Sequence, residues 1–395
     1  MSIKFLSQRV QRIQPSATLA IADKARVLKE SGRDIISLST GEPDFDTPEH
    51  IKKAAIESIN KGASKYTAVD GISELKQAII KKFQNDNGLD YTSDEILVSC
   101  GAKHTLYNIC QAMLDAGDEV IIPAPYWVSY PAMVQLADAT SVIVKTTQEA
   151  EFKITAKQLE SAITDNTRLL ILNSPSNPCA TSYSADELLA LAEVLRKHPQ
   201  VFIVSDDIYE HISWSATKFV NIAMIAPDLK ARVIVVNGVS KAYAMTGWRI
   251  GYSAADAQIT KAMKKIQSQS TSNPAAVSQY AALQALTGTQ KPVRDMCTHF
   301  KRRYEMVYAG LNAIDGVKCL PTTGTFYAFP NVEKVIKRLG LKDDLELAEY
   351  LLEKAGVAVV PGTAFGAPGH FRMSYATSDD LLKKALEKIS KAFAG

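Results

Sequence analysis

Lys241 and Arg249 stand eight residues apart in the segment Asn-Gly-Val-Ser-Lys-Ala-Tyr-Ala-Met-Thr-Gly-Trp-Arg, residues 237–249, just past the apolar run Val233–Val236. A primary amine forms a Schiff base with an aldehyde, and a planar guanidinium suits a phosphate. At this spacing the two could hold opposite ends of one small anionic molecule. Each has a plainer reading. Lys241 alone could be a solvated surface lysine, and Arg249 could pair with a surface carboxylate. Position favours the chemical reading. Lys241 follows a strand end and precedes small residues and an aromatic, as in a cleft. A lysine near other cations in a partly desolvated site has its amine form favoured. Met245, Trp248 and Ile250 around Arg249 predict that it is partly buried.

Four more segments with chemical capacity follow apolar runs in the same way. Gly101-Ala102-Lys103 follows Ile96–Ser99, and Pro125-Tyr126-Trp127 follows Val120–Ile122. Asn173 to Pro178 follows Leu169–Leu172, and Asp206 follows Phe202–Ser205. Open α/β sheets bind ligands along the carboxyl edge of their strands. Gly101 opens a helix predicted to run to about Leu114, whose first amides are unpaired and attract phosphate. Any strand–glycine–helix turn has that appearance, so the signal is weak alone. Asp206, at the end of an apolar strand, must be paired or protonated; it also reads as a helix cap, which Asp207 could supply instead. Tyr209 is three residues on, within reach of the same ligand if the turn is helical. Trp127 is either core packing or a flat face for a heteroaromatic ring. The sequence has no Gly-x-x-x-x-Gly-Lys and no Gly-x-Gly-x-x-Gly, which disfavours nucleotide cofactors. Pyridoxal 5'-phosphate carries both an aldehyde and a phosphate.

The elements that must position these residues are legible as a pattern. The runs above, with Val142–Lys145, are short, apolar and mostly non-alternating, as strands covered on both faces are. Helical stretches lie between several of them, such as Ala185–Lys197 with Leu188, Leu191, Ala192 and Leu195 on one face. The alternation predicts an α/β fold with a mostly parallel sheet. Asp46-Thr47-Pro48-Glu49 reads as a helix start, with a cap followed by proline and an acid. Thr377 or Ser378 can cap a C-terminal helix bearing Leu382, Leu386, Ile389 and Phe393, and Val357–Val360 before it reads as a strand ending in a Pro-Gly turn. A chain of 395 residues exceeds one compact core. The expected division is an N-terminal arm and part of a small domain over 1–45, a large domain over 46–290, and a small C-terminal domain over 291–395.

Composition narrows the function. The net charge of +3 comes from 45 basic and 42 acidic residues, with no basic run, so no nucleic-acid footprint is expected. Five cysteines without a Cys-x-x-Cys pair fit a reduced, cytoplasmic setting. The six histidines are scattered without metal-site spacing, so no metal is expected. Met1 to Ser16 lacks an apolar stretch of signal-peptide type. No apolar run nears the roughly 20 residues that span a bilayer.

Taken in order, the motifs resemble class I pyridoxal-phosphate aminotransferases of fold type I, specifically the bacterial aspartate aminotransferases of the Iβ subgroup. The likeness covers nearly the whole length. It rests on Pro15 to Thr18, Gly41-Glu42-Pro43-Asp44-Phe45, Lys65-Tyr66, Gly101-Ala102-Lys103, Pro125 to Pro131, Asn177-Pro178, Ser205 to Glu210, the lysine segment, and Arg372 to Ala376. The resemblance implies a large domain with a mostly parallel sheet between helices, plus a smaller α/β domain drawn from both termini. It implies that Lys241 forms the Schiff base and later moves a proton between the substrate Cα and cofactor C4'. By the same resemblance Asp206 pairs with the pyridine nitrogen, Tyr209 and Asn177 bond the 3'-oxygen, and Trp127 stacks on the ring. Arg249 and the turn of Gly101, Ala102 and Lys103 hold the phosphate, with Tyr66 contributed across a homodimer. Arg372 binds the substrate α-carboxylate beside the Gly41 backbone. Lys103, with Ser16 and Thr18, reads a distal carboxylate.

Two positions depart from the family pattern. Cys179-Ala180 replaces a usual Thr-Gly, and alanine excludes a turn needing positive φ unless the backbone tolerates strain. His104 replaces a more usual glutamine. The activity implied is transfer of the amino group of L-aspartate to 2-oxoglutarate. Glutamate- or aspartate-prephenate transamination is the close alternative, and a C–S β-lyase a more distant one. A cofactor-sensing DNA-binding regulator would need an added domain, for which no helix-turn-helix pattern is found.

Overall fold

The computed structural model describes residues 5–15 and 17–394. Ser16, one of the residues implied to read a distal carboxylate, lies outside them. All six expected runs form strands of one seven-stranded sheet. Its spatial order is Ile96–Ser99, Gly251–Ala254, Val233–Gly238, Phe202–Asp206, Thr167–Asn173, Glu119–Ala124 and Thr140–Lys145. The seventh, Gly251–Ala254, is absent from the expected set, because Gly-Tyr-Ser-Ala carries no apolar run. It runs antiparallel to both its neighbours, so Ile96–Ser99 and Val233–Gly238 still point the same way. The other pairings are parallel. The carboxyl ends of these six strands therefore share one edge. Gly251 is required where its strand passes the next helix: a Cβ there would collide with the Ala102 amide nitrogen.

Alternate residues of five of the strands feed two separate cores. Val98, Ile121, Leu170, Ile203 and Val235 pack on one face of the sheet. Leu97, Val120, Leu169, Val204 and Val236 pack on the other. Both faces are covered, so the strands read as continuous apolar runs. A further cluster joins Ile36 and Leu38 to Phe300, Phe326, Val357, Phe371, Met373, Leu382 and Phe393. It surrounds two small sheets. Ile36–Ser37 pairs in parallel with Val357–Ala358, and Phe371–Ser374 lies antiparallel between Val360–Pro361 and Tyr327–Ala328.

The helix Ala185–Lys197 has the expected bounds, with Ser184 and Glu187 forming a capping box. At the C-terminal helix Asp379–Ala394 the cap is Ser378, whose Oγ accepts the Leu381 amide. The helix Glu49–Asn60 differs from expectation. Pro48 occupies the cap position without a side-chain bond, because the Thr47 hydroxyl is engaged elsewhere: it donates to the Ala244 carbonyl at 2.7 Å and accepts Trp248 Nε1 at 3.0 Å. Among the described residues no helix is long and apolar enough to cross a membrane.

Candidate active site

A cavity of about 310 Å³ opens at the shared sheet edge. Thr18, Gly41, Ala102, Lys103, Trp127, Asn177, Asp206, Tyr209, Lys241, Arg249 and Arg372 all line it. The fold thereby gathers residues drawn from most of the chain. Tyr66 is not among them; it is 91% exposed.

Lys241 follows the strand Val233–Gly238, and its Nζ donates to the Gly41 carbonyl at 2.5 Å. Burial lowers its ionisation to about 8, with the nearby Arg372 and Arg249 cations acting in the same direction. A usable share of the side chain is then neutral amine near pH 7. Asp206 ends the adjacent strand. Its Oδ2 accepts the Tyr130 hydroxyl at 2.6 Å and its Oδ1 the Ile208 amide at 3.3 Å. Burial outweighs these donors and the Lys241 charge, raising the carboxyl to about 6. A cation placed against it would restore the ionised form.

Arg372 comes from the strand Phe371–Ser374 and is 2% exposed. It donates to Asn177 Oδ1 at 2.9 Å and to the Ser39 carbonyl at 2.6 Å. Its guanidinium lies 4.5 Å from the Tyr327 ring centre. No carboxylate pairs with it among the described residues, and its Nε is buried without a partner. A buried cation in that state is completed by an anionic ligand. Arg372 also orients Asn177, whose Nδ2 is left as the donor. The Tyr209 hydroxyl meets that of Tyr327 at 2.9 Å.

The side of the cavity next to Arg249 is built from Gly101, the helix Ala102–Met113 and Arg249 itself. Gly101 has φ +86°, and a Cβ there would collide with the Arg249 guanidinium. Arg249 itself is exposed, contrary to the expected partial burial. Met245 and Ile250 are buried, but Arg249 takes a left-handed conformation after the turn Thr246–Trp248, which directs its side chain to the cavity. It has no carboxylate partner among the described residues; its Nη1 donates to the Thr246 carbonyl at 2.8 Å. Lys103 is exposed over much of its length, its Nζ 5.0 Å from the Trp127 ring centre. Partial desolvation and the Arg249 charge lower its ionisation. Thr18 Oγ1 is buried without a partner among the described residues.

Ala180 has φ +59° and is fully buried, its amide donating to the Ser176 carbonyl at 2.9 Å. The turn keeps its left-handed residue and accommodates alanine, a conformation costing about 1–2 kcal/mol. His104 is outside the cavity lining; its Nδ1 faces the Cys100 amide at 3.4 Å. Tyr130 and Tyr327 are among the lining residues missing from the sequence-based set. Tyr130 has a signal, since it lies three residues after Trp127 in the segment Pro125–Pro131. Tyr327 has none, because it reads as one more aromatic in the apolar run Phe326–Phe329. Asp86, Glu210 and His211 bring three potential metal ligands together. The Lys82 ammonium, paired with Glu210 and 3.6 Å from Asp86, already supplies the cation there.

The family model for aminotransferase class I and II matches residues 33–389. The chain belongs to the class I and II aminotransferases. This aminotransferase is 53% identical over 391 residues to an aspartate/prephenate aminotransferase of Nitrosomonas europaea, covering 98% of each chain. It is 50% identical over 386 residues to an aspartate aminotransferase of Geobacillus stearothermophilus, again with 98% of each covered. The crystal structure of the aspartate aminotransferase from Rhizobium meliloti superposes with a TM-score of 0.95 at 48% identity, covering 98% of both chains. Membership implies dependence on pyridoxal 5'-phosphate, and the donor set fits that group. A glycine-lined helix start and an unpaired arginine suit its phosphate, Asp206 its ring nitrogen, and the Lys241 amine its aldehyde.

Proposed function

We propose that this aminotransferase holds pyridoxal 5'-phosphate in the cavity and transfers the amino group of L-aspartate to 2-oxoglutarate, giving oxaloacetate and L-glutamate. The observation that carries the reading is Arg372, a buried guanidinium with no carboxylate of its own among the described residues, opening on the same cavity as the Lys241 amine. Lys103 supplies a second cation for a substrate with two carboxylates. The names of the relatives from Nitrosomonas and Geobacillus support the same substrate.

Bound, the cofactor supplies an electron-accepting ring that stabilises the carbanion formed at the substrate Cα. The protein supplies orientation and proton transfer. Gly101, Ala102, Lys103 and Arg249 hold the phosphate end, with Tyr66 reaching a second subunit of a homodimer. Trp127 covers one ring face, and Asn177 and Tyr209 donate to the 3'-oxygen. The Asp206 carboxylate keeps a positive charge on the ring nitrogen. Arg372 and the Gly41 backbone would fix the α-carboxylate in the cavity that Lys241 also lines, and the neutral Lys241 amine would serve as the base for the Cα proton. Lys103, Thr18 and Ser16 receive the distal carboxylate. The domains are divided at 1–45, 46–290 and 291–395, and the enzyme works in the cytoplasm.

A survey of half-reactions tests this. Aspartate and glutamate are expected to convert the bound cofactor fastest, and no conversion by aspartate would overturn the assignment. The Nitrosomonas relative favours a second reading, prephenate as amino acceptor; turnover of prephenate with aspartate as donor distinguishes it. Release of pyruvate and ammonia from cysteine conjugates faster than transamination would instead favour a β-lyase.

A further inference from the structure

We propose that Tyr130 is a positioning residue for the cofactor ring, with its hydroxyl fixing the Asp206 carboxylate while its own ring braces Trp127. The proposal rests on the reading above, in which Asp206 meets the ring nitrogen and Trp127 the ring face.

Three contacts of Tyr130 carry it. Its hydroxyl donates to Asp206 Oδ2 at 2.6 Å. Its amide donates to the Trp127 carbonyl at 3.0 Å. Its ring stands edge-on to the Trp127 indole, with centres 5.4 Å apart and planes at 85°. The side chain is only 3% exposed, so it has little room to move. One residue at the start of the helix Ser129–Leu136 thus spans the two groups assigned to the ring plane and the ring nitrogen.

Asp206 has few alternatives. Asn173 Nδ2 reaches its main-chain carbonyl and not its carboxylate. The Ile208 amide is the other donor to the carboxylate, at a longer 3.3 Å. Charged and titratable groups facing Asp206 are Lys241 from the turn that follows the neighbouring strand, Tyr209 from the turn after its own strand, and Tyr130 from the helix Ser129–Leu136. Among these side chains only Tyr130 is hydrogen-bonded to the carboxylate. Burial and Asp206 raise the Tyr130 ionisation well above its ordinary value, so the phenol stays a donor throughout the working range. Its bond favours the ionised carboxylate that burial disfavours. A neutral Asp206 would offer a protonated ring nitrogen no charge.

Tyr130→Phe keeps the ring against Trp127 and deletes the hydroxyl. Equilibrium dialysis of pyridoxal 5'-phosphate against the apoprotein, from pH 5.5 to 8.5, reads the effect. Tyr130→Phe is expected to bind about tenfold more weakly at pH 7.5, as loss of a hydrogen bond to a charged group implies. Its acid limb of affinity is expected to shift to higher pH. In an Asp206→Asn background the same change is expected to cost less than about twofold, because the hydroxyl acts through the carboxylate. Unchanged affinity and an unmoved acid limb would overturn the proposal. So would a tenfold loss that persists in the Asp206→Asn background, since the effect would then be structural. If Asp206→Asn alone binds like the parent, the assignment of Asp206 fails; if it weakens binding while Tyr130→Phe does not, only the role of Tyr130 fails.

Discussion

The hydroxyls of Tyr209 and Tyr327 lie 2.9 Å apart, and the Tyr327 ring carries the Arg372 guanidinium 4.5 Å from its centre. One side chain therefore connects the turn after Asp206 to the arginine proposed to bind substrate. Gly41 closes over the same hydroxyl, since a Cβ there would lie 2.5 Å from it. Tyr327→Phe retains the ring under Arg372 and removes the bond to Tyr209. A neutral hydrogen bond of this kind is worth about 1 kcal/mol. Steady-state kinetics of Tyr327→Phe are expected to show kcat/KM for aspartate lowered about fivefold, and an unchanged value would separate Tyr327 from catalysis.

Arg372→Lys tests the arginine directly. Lysine keeps the charge but loses the planar fork that reaches Asn177, the Ser39 carbonyl and a carboxylate at once. Loss of charge-assisted bonds of about 1.5–3 kcal/mol lowers kcat/KM by roughly one to two orders of magnitude. The same loss is expected for every amino acid tried, because all share the α-carboxylate. A loss confined to aspartate and glutamate would move Arg372 to the distal carboxylate.

Lys103→Ala is expected to discriminate between substrates. Removing a cation that receives the distal carboxylate as well as serving the phosphate end should lower kcat/KM for aspartate about tenfold more than for alanine, which has no second carboxylate. Parallel losses for both would leave Lys103 with the cofactor phosphate alone.

Asp206 makes the apoprotein pH-dependent in a predictable sense. Its carboxyl is raised from 3.8 to about 6 on folding. Between those values the native state holds a proton that the unfolded chain has released. That contribution to stability is therefore lost as pH rises from about 4 to 6. Asp206→Asn lacks the linkage. Urea unfolding of the two apoproteins is expected to show the variant gaining roughly 2 kcal/mol relative to the parent between pH 4.5 and 7. A constant difference across that range would contradict the buried, high-pKa carboxyl.

The parallel strands and many polar residues of the cavity are legible in the sequence because the strands, the partly exposed Thr140–Lys145 apart, are buried on both faces and lead into polar segments. Val233–Val236 followed by Lys241 is the clearest case. Gly251–Ala254 is not legible, because its place between two co-directional strands depends on the close approach of Gly251 to Ala102, which no local pattern records. The exposure of Arg249 departs from expectation for a related reason. Met245 and Ile250 are buried, but a left-handed residue points its side chain away from them. Tyr327 is a core aromatic by every local measure, and only the fold brings its hydroxyl to Tyr209. Ala180 shows the limit of a one-residue rule: the turn retains its conformation at positive φ despite the added methyl.

Every role assigned around the cavity depends on Lys241 being the residue that carries the cofactor. Reduction of the holoenzyme with borohydride, followed by peptide mapping, tests this most directly. A pyridoxyl mass is expected on the peptide containing Lys241, and its absence with loss of turnover in Lys241→Ala. Labelling of a different lysine, or no labelling at all, would contradict it.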